Sequence, residues 1–387
     1  GVSAFHLQKT APSQHRPLFS AVSQYVDASE YAARDISTMD QWAASCGVQR
    51  VDGFQLTTDQ YEGVNNVFAM TNQDIPANTP VLCVPNTLVL SSNQAQQQFG
   101  KLWNAEKILE SLNAKDELPH FYLMLQILVE YEKGEGSQFM PWLNSLPRYY
   151  QNGASMTSFC YDCLPPLASK LAMKERTNFN ALQSAIKQVP FLSDYTKENC
   201  AKWAFQIAYT RSWKNNRNGD LCLAPLADFF NHGSAETEIE IQYDVEGNCY
   251  AMSTRDIPAG SPLRMSYGDP TNPSFLFARY GFLDESAPAT FCKIMIPHEN
   301  KELKEMGYAP HKMLFYKDTG EASEEVWDVL LYQILSSSNV SKRRQFYEAH
   351  KRGDLQTKQA FQQQYYQYTA AKLLEHIDTF IYELDKL

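Results

Sequence analysis

Three short stretches within positions 227–282 carry the side chains best suited to chemistry. Ala227-Asp228-Phe229-Phe230-Asn231-His232 ends an apolar run with a carboxylate, an amide and an imidazole. Met265-Ser266-Tyr267-Gly268 and Arg279-Tyr280-Gly281-Phe282 each set a phenol before a glycine turn, thirteen positions apart. Arg211, in Tyr209-Thr210-Arg211-Ser212, adds a cation upstream. A metal centre would want two or three His or carboxylate ligands at fixed spacing. The eight histidines, at 6, 15, 120, 232, 298, 311, 350 and 376, form no pair at that spacing, so no metal is expected. Taken singly, Asn231-His232 reads as a turn cap and each tyrosine as core. The ordered set is far harder to obtain by chance.

That set resembles the SET domain of the Rubisco large-subunit lysine methyltransferase family. Phe139-Met140-Pro141-Trp142-Leu143-Asn144-Ser145-Leu146-Pro147 is similar to a family segment ending in a Leu-Pro turn, and Glu62-Gly63 with Asp74-Ile75-Pro76 resembles the N-terminal SET segment. The likeness covers roughly residues 48–387. It implies S-adenosyl-L-methionine as cofactor, held by Glu62, Val64, Arg211, Asn231 and His232, with Arg211 pairing with the methionyl carboxylate. It implies Tyr267 as the catalytic phenol, Tyr280 as a second catalytic residue lining the substrate channel, and Asp228 beside Tyr280 at the substrate. An acceptor lysine must shed a proton. From a pKa of about 10.4, being neutral near pH 7.5 costs roughly 4 kcal/mol, which a dry channel and a nearby sulfonium reduce. Where the family has Gly-x-Gly beside the cofactor, this chain reads Glu62-Gly63-Val64-Asn65-Asn66. The residues do not separate a lysine from a histidine acceptor. A SET-like binding module without catalysis is the third reading.

The elements that must position these groups are legible in outline. Val67–Met70 and 81–85 predict short strands about a turn at 76–78. Thr237 to Tyr243 alternates, with Ile239, Ile241 and Tyr243 on one face, and returns through Glu246-Gly247-Asn248 to a strand at Cys249–Ser253. Residues 94–133 and 166–212 predict helix. The clearest case is Leu118 to Lys133, with Phe121, Leu125, Leu128 and Val129 on one face. Phe191, Trp203, Ile207 and Ala208 are candidate core positions. Residues 51–61 carry only short polar and aromatic alternation. Asp74-Ile75-Pro76-Ala77 is echoed by Asp256-Ile257-Pro258-Ala259, which reads as shared turn chemistry. Helix dominates from about Glu324, and 355–387 is long enough for one extended helix or two.

The expected fold class is therefore α+β. A leader or transit-like tail over 1–40 precedes a SET domain over 41–288, with a helical insert at about 93–205. An all-helical substrate-binding domain follows over 289–387. The 387 residues are 44% hydrophobic, enough for a packed core, and 20% charged. A net charge of −10 argues against nucleic acid or an anionic membrane as partner. No apolar run is long enough for a spanning helix. The implied partner is a protein presenting a lysine, the Rubisco large subunit or another plastid or cytosolic protein. The eight cysteines are scattered and read as reduced, buried thiols. The close pair Cys160-Tyr161-Asp162-Cys163 reads as two structural thiols in a loop. No cysteine cluster follows Cys292, so a zinc-bound segment and a chromatin substrate are not expected. The first 26 residues lack Asp and Glu, and Val2-Ser3-Ala4-Phe5 resembles a plastid-targeting cleavage motif. The expected location is the chloroplast, with the cytoplasm as alternative.

Overall fold

The computed structural model describes residues 25–61, 64–234, 237–268, 273–284, 287, 289–291, 300–308 and 312–386. Its β portion is a set of short, twisted pairs. The strands Gln49–Arg50, Pro80–Val84, Cys249–Ser253 and Ile239–Tyr243 form one four-stranded sheet in that spatial order. The Ile239–Tyr243 strand and its expected return strand form a hairpin with Cys249 facing Tyr243 and Ser253 facing Ile239. Residues 54–61 form a strand that the sequence did not announce. Phe54–Tyr61 pairs with Val64–Thr71 along its whole length. The pairing partner, not an alternating pattern, makes it a strand.

The echoed turns have a physical basis beyond shared chemistry: they bond to each other. Ile75 and Ile257 exchange backbone hydrogen bonds of 2.8 Å in both directions. The Ala77 amide donates to Asp256 Oδ1 and the Ala259 amide to Asp74 Oδ1, each at 2.8 Å. The two turns are thus related by a local two-fold, with each aspartate capping the other's loop.

The helical insert resolves the expected 94–133 helix into three: Ser92–Phe99, Trp103–Ser111 and Leu118–Glu132. Gly100 and Asn113, both at positive φ, make the breaks. The Leu118–Glu132 helix was expected to bury one face. In the structure Phe121 to Leu128, Glu130 and Tyr131 are all buried, because neighbouring helices surround it. Buried Glu130 is satisfied by Gln126, Lys133 and Ser137. The expected 166–212 helix is split into Pro166–Ile186 and Ala201–Arg211. Trp203, Ile207 and Ala208 are buried as expected, whereas Phe191 is 49% exposed and lies against Phe99.

The assignment of 1–40 to a tail does not hold for its described part. Val26 and Met39 belong to the main core, and Asp35 caps the helix Ile36–Ser45. Arg34 Nε donates to the Ser145 carbonyl at 2.7 Å. Residues 1–24, including the Val2–Phe5 motif, lie outside the described residues.

A second core gathers Leu303, Met313, Val326, Leu330, Phe346 and Phe361, among others. It is built on the helices Glu324–Ser338, Val340–Arg352 and Leu355–Leu384, the last a single helix of 30 residues. This region is not wholly helical: Ala289–Phe291 pairs antiparallel with Leu314–Tyr316. No helix among the described residues is long and apolar enough to cross a membrane.

Gly153 packs closely against the helix Pro166–Ile186. A Cβ there would lie 2.6 Å from the Ala172 Cα and 2.8 Å from its carbonyl oxygen, so backbone must shift. Gly153→Ala is expected to cost about 1–3 kcal/mol. An unchanged midpoint in urea unfolding would remove that constraint.

Candidate active site

The site is assembled where two distant strands meet. Asn231–His232 pairs in parallel with Arg264–Met265, Asn231 beside Arg264 and His232 beside Met265. The Gly233 amide extends the ladder to the Met265 carbonyl at 2.9 Å. Two residues beyond Met265, the Tyr267 amide donates to His232 Nδ1 at 3.1 Å. His232 Nε2 lies 3.2 Å from Asp284 Oδ2. An imidazole that accepts at Nδ1 must carry its proton on Nε2, so the ring donates to Asp284 and is neutral. Burial lowers the His232 pKa against the pull of Asp284, in keeping with that form. The ring is fully engaged in the fold, and its backbone is what remains for a ligand.

The tyrosines converge as the sequence implied. The rings of Tyr267 and Tyr280 lie 4.8 Å apart, and Phe282 and His232 complete the aromatic cluster. Tyr280 ends the helix Pro273–Tyr280. Gly281 follows at φ +86°, and a Cβ there would sit 2.8 Å from the Gln151 carbonyl oxygen, so only glycine lets the chain turn here. The Tyr267 hydroxyl donates to the Phe230 carbonyl at 2.7 Å. Burial raises the pKa of both phenols, so near neutral pH they are donors and lone-pair acceptors, not phenolates.

Arg211 closes the helix Ala201–Arg211 and reaches Asp228 in the turn Ala227–Phe229. Its Nη1 donates to Asp228 Oδ2 at 2.9 Å and to the Asp228 carbonyl at 2.7 Å. Burial opposes the charge of Arg211, but Asp228, Tyr150 and Tyr267 outweigh it and raise the pKa. The Asp228 side chain is fully buried, and its Oδ2 also accepts from Trp142. The turn is entered through Leu226, buried at φ +73°, a strained position for a side chain with a Cβ.

Two cavities meet at these groups. The larger, about 460 Å³, is walled by Arg34, Asn66, Tyr150, Asn231, His232 and Phe282 among others. The smaller, about 250 Å³, is walled chiefly by Trp213, Leu221, Phe230, Met265, Phe275 and Arg279. Thr210, Arg211, Asp228, Tyr267 and Tyr280 line both. Around the larger cavity several polar atoms are buried without a partner among the described residues: Arg34 Nη2, Arg211 Nε, Asp228 Oδ1 and the Tyr150 hydroxyl. Unmet buried groups of that kind are costly unless a ligand satisfies them. Arg34, Arg211 and Asp228 together leave one positive charge in excess. Burial, with Arg211 pushing the same way, lowers the Arg34 pKa to about 10, still charged near neutral pH.

Of the residues singled out in the sequence, Arg211, Asp228, Asn231, His232, Tyr267 and Tyr280 line the larger cavity. Glu62 lies outside the described residues. Val64 opens the strand Val64–Thr71, and nothing is described of its side chain. Two positions on, Asn66 Oδ1 accepts from Asn231 Nδ2 at 3.5 Å, so this strand does border the site. Sequence reasoning missed Arg34, Tyr150 and Trp213. Arg34 sat in the supposed tail. The apolar spacing of Val26, Ile36 and Met39 beside the Asp35 cap was the available signal.

A family model described as SET domain matches residues 67–268. "SET domain-containing protein 4" of Artemia parthenogenetica is 27% identical over 236 residues, 57% of this chain and 56% of that protein. "Actin-histidine N-methyltransferase" of Danio rerio is 23% identical over 282 residues, 65% of this chain and 43% of that protein. The chain thus spans about half the length of the curated relatives it matches. Among solved structures, Rubisco LSMT bound to AdoMet superposes with a TM-score of 0.54 at 16% identity, covering 78% of this chain and 70% of that one. The SET domain of LSMT bound to MeLysine and AdoHcy gives 0.56 at 16% identity, covering 77% and 70%. At such identity the likeness is one of fold.

The His232 bridge has a pH signature. Its folded pKa lies below the unfolded value of about 6.5, so its contribution is present above that pH and lost as pH falls through the folded value. Thermal unfolding from pH 7.5 down to 5 is expected to show a falling midpoint, with a shallower fall in His232→Asn. Equal slopes in the two proteins would disprove the role.

Proposed function

Because the chain belongs to the SET domain family, we propose that it is an S-adenosyl-L-methionine-dependent protein N-methyltransferase with lysine as its acceptor. The observation that carries this reading is the pair of cavities meeting at Tyr267 and Tyr280, the larger edged by Arg34, Arg211 and Asn231, the smaller by Trp213, Phe230 and Phe275 together with Lys214 and Arg279. Cofactor and acceptor can then approach from opposite sides.

The residues of the larger cavity fit the cofactor. The excess positive charge of Arg34 and Arg211 over Asp228 matches a methionyl carboxylate, and Arg34 Nη2 and Arg211 Nε are donors still to be met. Arg34 therefore joins Arg211 in the role that the sequence gave to Arg211 alone. Asn231 and the backbone at His232 are available to hydrogen-bond adenine. When bound, S-adenosyl-L-methionine supplies an electrophilic methyl on a sulfonium. The chain's own task is alignment, since fixed geometry supplies much of the rate. Tyr267, anchored through its hydroxyl to Phe230 and through its amide to His232, presents its oxygen at the junction. Tyr280, Trp213, Phe230 and Met265 give an apolar wall to a lysine stem. The wall also disfavours the ammonium form of the incoming amine by desolvation. Arg279 in that wall is bound by Glu175 through two 3.0 Å hydrogen bonds, so that carboxylate is spent.

Histidine is the second reading, favoured by the likeness to the actin-histidine enzymes. Peptides offering each acceptor, compared by mass spectrometry across pH, separate the two. Methylation confined to histidine would overturn the lysine assignment. Histidine transfer should also persist to lower pH, since a neutral ring nitrogen needs little deprotonation.

Tyr267→Phe is expected to lower turnover about 100-fold, the scale of a misaligned reaction, with cofactor affinity nearly unchanged. Turnover like the parent's would exclude Tyr267 from alignment. Arg34→Ala and Asn231→Ala are each expected to weaken cofactor binding in isothermal titration, Arg34→Ala by about tenfold or more, the worth of a charge-assisted hydrogen bond. Parent-like affinity in both would contradict the assignment of the larger cavity.

A further inference from the structure

Cys160-Tyr161-Asp162-Cys163 is a motif that methyl transfer does not use. The sequence read it as two structural thiols in a loop. The structure places both on one turn of surface helix, Ser158–Asp162, with Cys163 as its C-cap. Cys163 is exposed and Cys160 partly so, while Cys200, Cys222 and Cys249 are buried. The Cys163 amide donates to the carbonyls of Phe159 at 3.3 Å and Cys160 at 3.2 Å, so the motif is helically wound. Residues three apart on such a turn have Cβ atoms roughly 5–6 Å apart on one face. A disulfide needs about 3.5–4.5 Å, within reach of a small local rearrangement.

The thiols differ in reactivity. Cys160 Sγ lies 3.2 Å from Thr157 Oγ1, and that hydrogen bond lowers its pKa. Burial raises the Cys200 thiol and pushes those of Cys222 and Cys249 up to about 12. The thiolate is the nucleophile in exchange, so Cys160 is better prepared to react than the three buried thiols.

The motif is also tied to the larger cavity. The Tyr161 hydroxyl, between the two cysteines, donates to the Gly153 carbonyl at 2.7 Å. Just upstream, Tyr149, Tyr150 and Gln151 line the cavity. Asn152 Nδ2 donates to the Arg279 carbonyl at 2.8 Å, next to Tyr280.

We propose that Cys160 and Cys163 form a reversible dithiol–disulfide pair whose closure loosens the 149–156 wall of the larger cavity. The oxidant is a low-molecular-weight disulfide. The Cys160 thiolate attacks one of its sulfurs, forming a mixed disulfide and releasing one thiolate. Cys163 loses its proton to solvent and displaces the second thiolate, closing the Cys160–Cys163 bond. The small disulfide gains two electrons and the protein gives up two. Drawing the Cβ atoms together distorts the turn that carries Tyr161 and withdraws its hydroxyl from Gly153.

The test uses the full chain equilibrated in mixtures of reduced and oxidised glutathione, then quenched by alkylation and mapped by mass spectrometry. The expected result is a peptide spanning 160–163 that lacks two hydrogens, while Cys200, Cys222 and Cys249 remain alkylatable after unfolding. Cys163→Ser should instead hold glutathione on Cys160. Amide exchange across 149–156 should run at least threefold faster in the oxidised form, with the helix Leu118–Glu132 unaffected. Full alkylation of both cysteines at every ratio overturns the pair. Unchanged or slower exchange across 149–156 in the linked form overturns its coupling to the cavity. Neither measurement requires cofactor or acceptor, so failure here is distinct from failure of the methyltransferase reading.

Discussion

The site depends on a parallel pairing only two residues long, Asn231–His232 against Arg264–Met265. Parallel ladders normally need a long crossover and gain little per residue. Here the crossover is the Ile239–Ser253 hairpin, itself part of the main sheet, and the short ladder is reinforced by a side chain. The His232 ring accepts from the Tyr267 amide and donates its own N–H to Asp284. One neutral imidazole therefore fixes where the phenol leaves the backbone. With that ring turned or charged, Nδ1 no longer accepts from the Tyr267 amide, and the phenol loses its fixed place.

Charge is arranged on the same economy. A buried ion pair such as Arg211–Asp228 is weak support for stability, because desolvation offsets attraction, yet removing one partner costs about 3–5 kcal/mol. Its value is positional: it sits in the wall shared by both cavities and clamps the end of a helix to the Ala227–Phe229 turn. Arg34 then stands as the surplus cation. Tyr150, buried and facing the Arg211, Arg34 and Arg148 guanidiniums, fills the space between them without adding charge.

How much of this was legible follows from how local each signal is. The Asn-His and Tyr-Gly stretches are contiguous, and their backbone demands, such as Gly281 at positive φ, leave a mark in the sequence. Arg34 bonds to Ser145, 111 residues away, and no local pattern encodes that contact. The Phe54–Tyr61 strand was hidden because its Gln, Thr and Asp residues give no clean alternation, and only its partner makes it a strand. The Leu118–Glu132 helix showed an apolar face, yet its all-round burial depends on helices that arrive from elsewhere. Phe191 failed as a core residue for the converse reason. The chain breaks near Pro190, and the ring is left on the surface against Phe99.

The mutual capping of the Asp74 and Asp256 turns reaches further than local geometry. Its hydrogen bonds join residues 179 and 185 positions apart, so the entire insert is a loop whose ends are buttoned together. Closure entropy grows only logarithmically with length, by about 0.6 kcal/mol for each doubling. Lengthening a surface connection within the insert is therefore thermodynamically cheap, and the button keeps such growth from pulling on the segment that carries the phenols. The architecture can vary the bulk around its reaction centre while leaving the centre in register.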